Sequence, residues 1–192
     1  MIGYIEWMMI DEHRAIERLK QGDISGLGAL VSQYQVKAVR TAYLITRDSA
    51  LAEDVVQDCF LHVFHAIRRF DSTRPFEPWF MRSVVNAAVK ITQKAAKQVQ
   101  MGDEADESLF AEIVSRVETV EEQVESAEVQ NQVWEAMRKL SPRQRAVVVQ
   151  RYFLEMSEKE MAEASDAAVG TIKWLLNAAR ERLRGLLERS EK

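Results

Sequence analysis

Helix-breaking residues are scarce in this chain. Seven glycines and three prolines interrupt 192 residues, and between them apolar side chains recur at three- and four-residue spacing, the period of an amphipathic helix. The pattern predicts an all-α protein. With 47% hydrophobic and 29% charged residues, such a chain can bury one or two small cores. The single cysteine, Cys59, excludes an intramolecular disulfide. No stretch reaches the eighteen or so continuous apolar residues of a membrane span. The opening MIGYIEWMMI contains Glu6 and lacks the basic start of a signal peptide. A soluble, cytoplasmic protein is expected.

The net charge of −4 is unevenly placed. Residues 1–100 carry 13 lysines and arginines against 11 acids, residues 101–137 carry Arg116 against eleven acids, and residues 138–192 carry 12 against 8. An acidic middle between two mildly basic ends suits two modules and a tether. The expected layout is an N-terminal extension at 1–10, a first helical domain at 11–100, an acidic linker at 101–127 and a second helical domain at 128–192. Leu109, Ile113, Val117, Val120 and Val124 keep helical spacing within the linker. Its acids suit a solvated tether, or a DNA mimic that covers the basic modules.

In the first domain, DEHRAIERLKQ predicts a short helix stopped by Gly22, after which Asp23 can cap a helix running to about Thr46. Gly26 and Gly28 in its first turns each weaken it by roughly 1 kcal/mol relative to Ala. Asp48 then caps a long amphipathic helix whose buried stripe is Val55, Val56, Cys59, Phe60, Val63, Phe64 and Ile67. Glu53, Asp54, Gln57 and Asp58 lie off that stripe as an acidic and amide-bearing face. The loop DSTRPFEPWF follows, and then a helix on which Lys90, Lys94 and Lys97 form a basic edge, with Asn86 one turn earlier. Rings beside lysines can hold single-stranded bases, the rings stacking and the lysines tracking phosphates. Trp79 suits the core of a helical hairpin; Phe70 and Phe76 suit either role.

The second domain, from LSPRQRAVVVQRYF onward, reads as four short helices. Ser141 and Pro142 open one, Ser157 with Glu160 forms a capping box opening another, and the break SDAA leads into a helix starting at Val169. Two short helices joined by a tight turn, the second followed by arginines, form a helix-turn-helix pattern. Helical periodicity gathers Val169, Ile172, Leu176, Ala179 and Leu183 on one stripe. Leu175 falls at its flank, and Trp174 points outward with Thr171, Lys173, Asn177 and Ala178.

These blocks, in order across about residues 12–188, resemble the small two-domain extracytoplasmic-function group (group 4) of sigma-70 family sigma factors of bacterial RNA polymerase. DSALAEDVVQDCFLHVFHAI is similar to the region 2 core-binding helix, RRFDSTRPFEPWFMRSVVNAA to the loop and helix that take the −10 element, and LSPRQRAVVVQRYFLEMSEKEMAEA with VGTIKWLLNAAR to region 4. The resemblance implies that Glu53, Asp54, Gln57 and Asp58 dock on core RNA polymerase. It implies a −10 face of Ala66, Phe70, Asp71, Ser72, Thr73, Arg74, Asn86, Lys90 and Lys94, with Ala66, Phe70 and Asn86 lining a pocket for a flipped base. It implies −35 contacts from Thr171, Lys173, Trp174, Asn177 and Arg180. Core polymerase and promoter DNA are the implied partners, and an anti-sigma factor or masking within the chain is the expected control.

The chain departs from the family pattern at three places. After Asn86 the family usually has an acid four positions on and then paired arginines; here stand Lys90, Gln93 and Lys94. SDAA replaces a Leu-Gly-Ile-Pro-like turn, with Asp166 able to take a left-handed conformation, and its small side chains predict looser packing. Trp174-Leu175 replaces Ser-Arg in the recognition helix, and Ala178 replaces an arginine. These changes leave open a stand-alone helix-turn-helix regulator, or a sigma-like protein with reduced promoter recognition. They suit three roles for Trp174: packing on a neighbouring helix, contact with thymine methyls, or binding protein, including the chain's own region 2 or N-terminal segment. No metal is expected, because Cys59, His62 and His65 are each turned about 60° from the last on one helix and lack a fourth ligand. No cofactor is expected, and no catalytic constellation emerges, so the protein is not expected to be an enzyme.

Overall fold

The structure, a computed structural model, describes residues 12–98 and 131–190. The expectations for the N-terminal segment and for the acidic linker fall outside the described residues.

The first module is built from four helices: α1 (12–20), α2 (Ser25–Thr46), α3 (Ser49–Ala66) and α4 (Phe76–Gln98), with a 3-10 turn at Ile67–Arg69. Gly22, at φ +87°, ends α1. Ile24, not Asp23, stands at the cap of α2, and Asp23 accepts the Ser25 amide at 2.9 Å from one residue further out. Gly26 has a use that helix propensity alone does not show. A Cβ there would overlap the Ala15 carbonyl oxygen, so its absence lets α1 lie close against α2. Asp48 caps α3 through the Leu51 amide at 2.9 Å. The α3 stripe faces inward through Val55, Val56, Cys59, Phe60, Val63 and Ile67, with Phe64 half-buried beside them. From α4, Phe76, Phe80, Val84, Val85 and Ala88 close the core.

The second module consists of α5 (131–138), α6 (Pro142–Val148), α7 (Glu158–Ser165) and α8 (Val169–Ser190). From Leu140 onward there are thus three α-helices, not four short ones. The first runs on into a π turn, Val149–Phe153, and α8 is 22 residues long. Two capping boxes set the starts of α6 and α7: Ser141 with Gln144, and Ser157 with Glu160. Asp166 takes the left-handed conformation at φ +49° between α7 and α8, where a short polar side chain tolerates it. Ile172, Leu176 and Ala179 are buried and Leu183 is half-buried. Val169, expected on the same stripe, is 40% exposed. It is the first residue of α8.

The modules are in contact. Elements α2 and α4 of the first pack against α6 and α7 of the second, and the π turn also meets α2. Their buried residues form one apolar cluster.

Candidate nucleic-acid interface

Three surfaces carry the residues singled out from sequence. On α3, Glu53, Asp54, Gln57 and Asp58 are all exposed, because they occupy the turns opposite the Val55–Cys59 stripe. Cys59 is buried, and burial pushes its thiol up to about 11, whereas His62 and His65 are exposed.

The second surface runs from the end of α3 to α4. Asp71 accepts from the amide and hydroxyl of Thr73 at 3.0 and 2.7 Å, which holds its carboxyl below its usual range. Arg74 pairs with Asp71 at 3.6 Å on the exposed outer side of the loop. Ser72 is tied back to α1, donating to Glu17 at 3.3 Å and accepting from Lys20. Lys90 and Lys94 are exposed along α4.

Phe70 is not an open stacking wall. It is 7% exposed and packs on Trp79 at 4.9 Å and edge-on to Phe76 at 5.7 Å. Phe76 is fully buried, and Trp79 is half-buried between the two. Ring packing, worth roughly 0.5–1.5 kcal/mol per pair beyond area burial, keeps this aromatic run inward.

Asn86 is exposed on α4. Its amide nitrogen donates to the Ala164 carbonyl of α7, 3.0 Å away in the other module. Beside that bond lies an open cavity of about 600 Å³. Arg69, Phe70, Arg74, Trp79 and Arg82 line it from the first module, and Leu154, Met156, Glu160, Glu163 and Ala164 from the second.

The third surface is the outer side of α8. Thr171, Lys173 and Asn177 are exposed, Ala178 is half-buried, and Trp174 is the most open large apolar side chain of the helix at 68%. Leu175 is half-buried against the core. Lys173 lies 3.7 Å from Glu158 at the start of α7. Arg180 donates to the Tyr152 hydroxyl at 2.8 Å and sits over its ring, so the π turn holds this arginine.

Arg145 was not singled out from sequence. It is 3% exposed and has carbonyls for partners: Nε donates to Ile45 and Nη1 to Leu140, each at 2.7 Å. Burial first, then Arg47 nearby, draws its guanidinium down to about 10, which leaves it charged at neutral pH. The signal was present, since Arg145 shares a helical stripe with Val148 and Val149.

The first module matches the Sigma-70 region 2 family over residues 30–98, and the second matches Sigma-70, region 4 over residues 130–183. The ECF RNA polymerase sigma factor SigW of Bacillus subtilis is 28% identical over 181 residues, covering 92% of this chain and 96% of that protein. This chain belongs to the extracytoplasmic-function group of the sigma-70 family. The ECF RNA polymerase sigma-E factor of Escherichia coli K12 is similar at 27% identity, covering 86% of this sigma factor and 88% of that one. CnrH, solved in complex with the cytosolic domain of CnrY, shares the fold with a TM-score of 0.60 at 23% identity over 93% of this chain and 98% of that one. RpoE, solved with the anti-sigma factor NepR from Bartonella quintana, has a TM-score of 0.62 at 20% identity over 82% of this chain and 94% of that one. Among the described residues, no helix is long and apolar enough to cross a membrane.

Proposed function

We propose that this sigma factor binds core RNA polymerase through the α3 face of Glu53, Asp54, Gln57 and Asp58 and directs it to promoters in the cytoplasm. The observation that carries the reading is the exposure of all four side chains on one helix of a region 2 module. Such a strip offers carboxylates and an amide to a basic, hydrogen-bonding partner. The −10 strand would be engaged by Asn86, Lys90, Lys94 and the loop Asp71–Arg74, and Ala66 and Phe70 would contribute after the aromatic cluster rearranges. Thr171, Lys173, Trp174, Asn177 and Arg180 would meet the −35 major groove. The protein is not itself an enzyme; the polymerase carries out the chemistry. Domain limits at residues 11–100 and 128–192 follow from the same reading. Because RpoE was solved with an anti-sigma factor, a protein inhibitor is also proposed here.

A second reading, a partner-binding protein with reduced promoter recognition, draws on the 68% exposure of Trp174 where a recognition helix needs polar or basic reach. Binding of the purified chain to bacterial core polymerase, beside a variant carrying Asp54→Ala and Gln57→Ala, tests the main reading. Tight binding lost in the variant supports sigma docking. No binding by the folded wild type removes it.

A further inference from the structure

The outer side of α8 carries one large apolar side chain in a strip that is otherwise small or polar. Trp174 is 68% exposed and lies roughly opposite the buried line of Ile172, Leu176 and Ala179. One turn to either side of it on the outer face stand Gly170, whose Cβ position opens onto empty space, and Ala178. The indole therefore stands clear on a helix with little bulk around it. Thr171 and Asn177, both exposed, flank it. The two cations of this stretch have protein partners: Lys173 lies 3.7 Å from Glu158 on α7, and Arg180 donates to the Tyr152 hydroxyl at 2.8 Å. From Val169 to Arg180 the helix carries no acid, and Glu181, paired with Arg184, ends that stretch.

We propose that Trp174 is a specificity-determining residue that reads a thymine of the −35 element through its C5 methyl group. The proposal rests on the −35 reading of α8 given above. A single ring among polar neighbours makes a poor protein-docking patch, which needs contiguous apolar area, and Leu175 beside it turns half-buried into the core. A helix in the major groove needs instead individual side chains that reach base edges. The thymine edge presents a methyl group beside the O4 acceptor, and an indole matches that pair with an apolar ring and one N–H donor. Gly170 and Ala178 let the helix approach the groove until the ring meets its floor. Asn177, one turn further along, carries the amide that pairs with adenine N6 and N7, so it addresses a base other than the one under Trp174.

The test uses the full chain and a library of duplex DNA randomised over about one helical turn. Repeated selection of bound duplexes should fix thymine at one position, and fluorescence anisotropy with the enriched duplex then reads affinity. Replacing that thymine with deoxyuridine removes the methyl group and keeps O4. Wild-type binding is expected to fall about fourfold, the effect of one methyl group no longer buried. Trp174→Ala should bind the two duplexes alike, and Trp174→Phe, which keeps a ring, should retain the preference for thymine. Asn177→Ala should weaken binding and leave the ratio of thymine to uracil affinity unchanged, since independent contacts add. The exposure of Trp174 lets all three variants keep the core, and circular dichroism checks it. An enriched site without a fixed thymine, one whose affinity ignores the methyl group, or a methyl effect that survives in Trp174→Ala overturns the role of Trp174 and leaves the −35 reading in place. Wild-type affinity in Trp174→Ala also overturns it and assigns the ring to a protein contact. If selection enriches no sequence, the −35 reading fails and the proposal with it.

Discussion

Two glycines about half a turn apart in α2, Gly26 and Gly28, separate intrinsic propensity from packing. Gly26 faces the Ala15 carbonyl with no room for a methyl group, while the Cβ position of Gly28 opens onto empty space. Gly26→Ala should therefore destabilise the protein by about 1–3 kcal/mol through overpacking against backbone. Gly28→Ala should stabilise it by about 0.5–1 kcal/mol, since an exposed helical glycine gains from a side chain. Denaturant melts of the two variants should shift in opposite directions. Cys59 gives a second test at this scale. Its thiol is raised to about 11 from 9.0, so the folded state holds its proton more tightly than the unfolded chain. Stability is expected to fall as pH rises from about 9 towards 11. A Cys59→Ala variant, compared at pH 8 and pH 10.5, should lose less stability over that interval than the wild type does.

The helix starts were legible because capping is local. Ser157 and Glu160 lie three residues apart, and the structure pairs them reciprocally, with Glu160 accepting the Ser157 amide at 2.7 Å and Ser157 accepting the Glu160 amide at 3.3 Å. Ser157→Ala should cost about 1 kcal/mol of stability in the second module. The Ser157 bonds also hold the Glu160 carboxyl below 4.5. That contribution is present above the ordinary carboxylate range and is lost as pH falls through the lowered value, so the wild-type advantage over Ser157→Ala should shrink on acidification. The outward position of Trp174 on α8 was equally legible, since a period of 3.6 assigns faces without knowledge of neighbours. Val169 departs from its expected face because an element's end is covered only as far as its partner reaches. If α8 enters a major groove, Trp174→Arg should strengthen DNA binding and steepen its salt dependence by about one unit of slope, as one added phosphate contact would. A salt titration of binding that shows an unchanged slope would place this side chain away from DNA.

What the sequence did not show is the contact between modules. Arg145 and Ile45 are 100 residues apart, and Asn86 and Ala164 are 78 apart; neither pairing leaves a local pattern. The ring packing that withdraws Phe70 is shorter in range, joining it to Phe76 and Trp79 across the loop into α4, but it too lies outside any helical period, so spacing left Phe70 open to either role. These long-range contacts bear on cooperativity. One apolar cluster spans both modules, and Arg145 satisfies a carbonyl in each of them. Unfolding either module would therefore strip partners from the other, and their transitions should coincide in the wild type. Arg145→Met removes a buried charge, which favours the variant, but orphans the carbonyls of Ile45 and Leu140 at about 1–3 kcal/mol each. The second cost exceeds the first here, because two carbonyls lose their partner at once. A net loss of a few kcal/mol is expected, with the two transitions separating. Module-resolved hydrogen exchange in rising denaturant can read this directly. In the wild type, amides of α3 and α8 should reach a common opening free energy, whereas in the folded Arg145→Met variant those of α8 should exchange first. Continued coincidence in the variant would mean that the apolar cluster alone couples the modules and that Arg145 serves only the local geometry of α6.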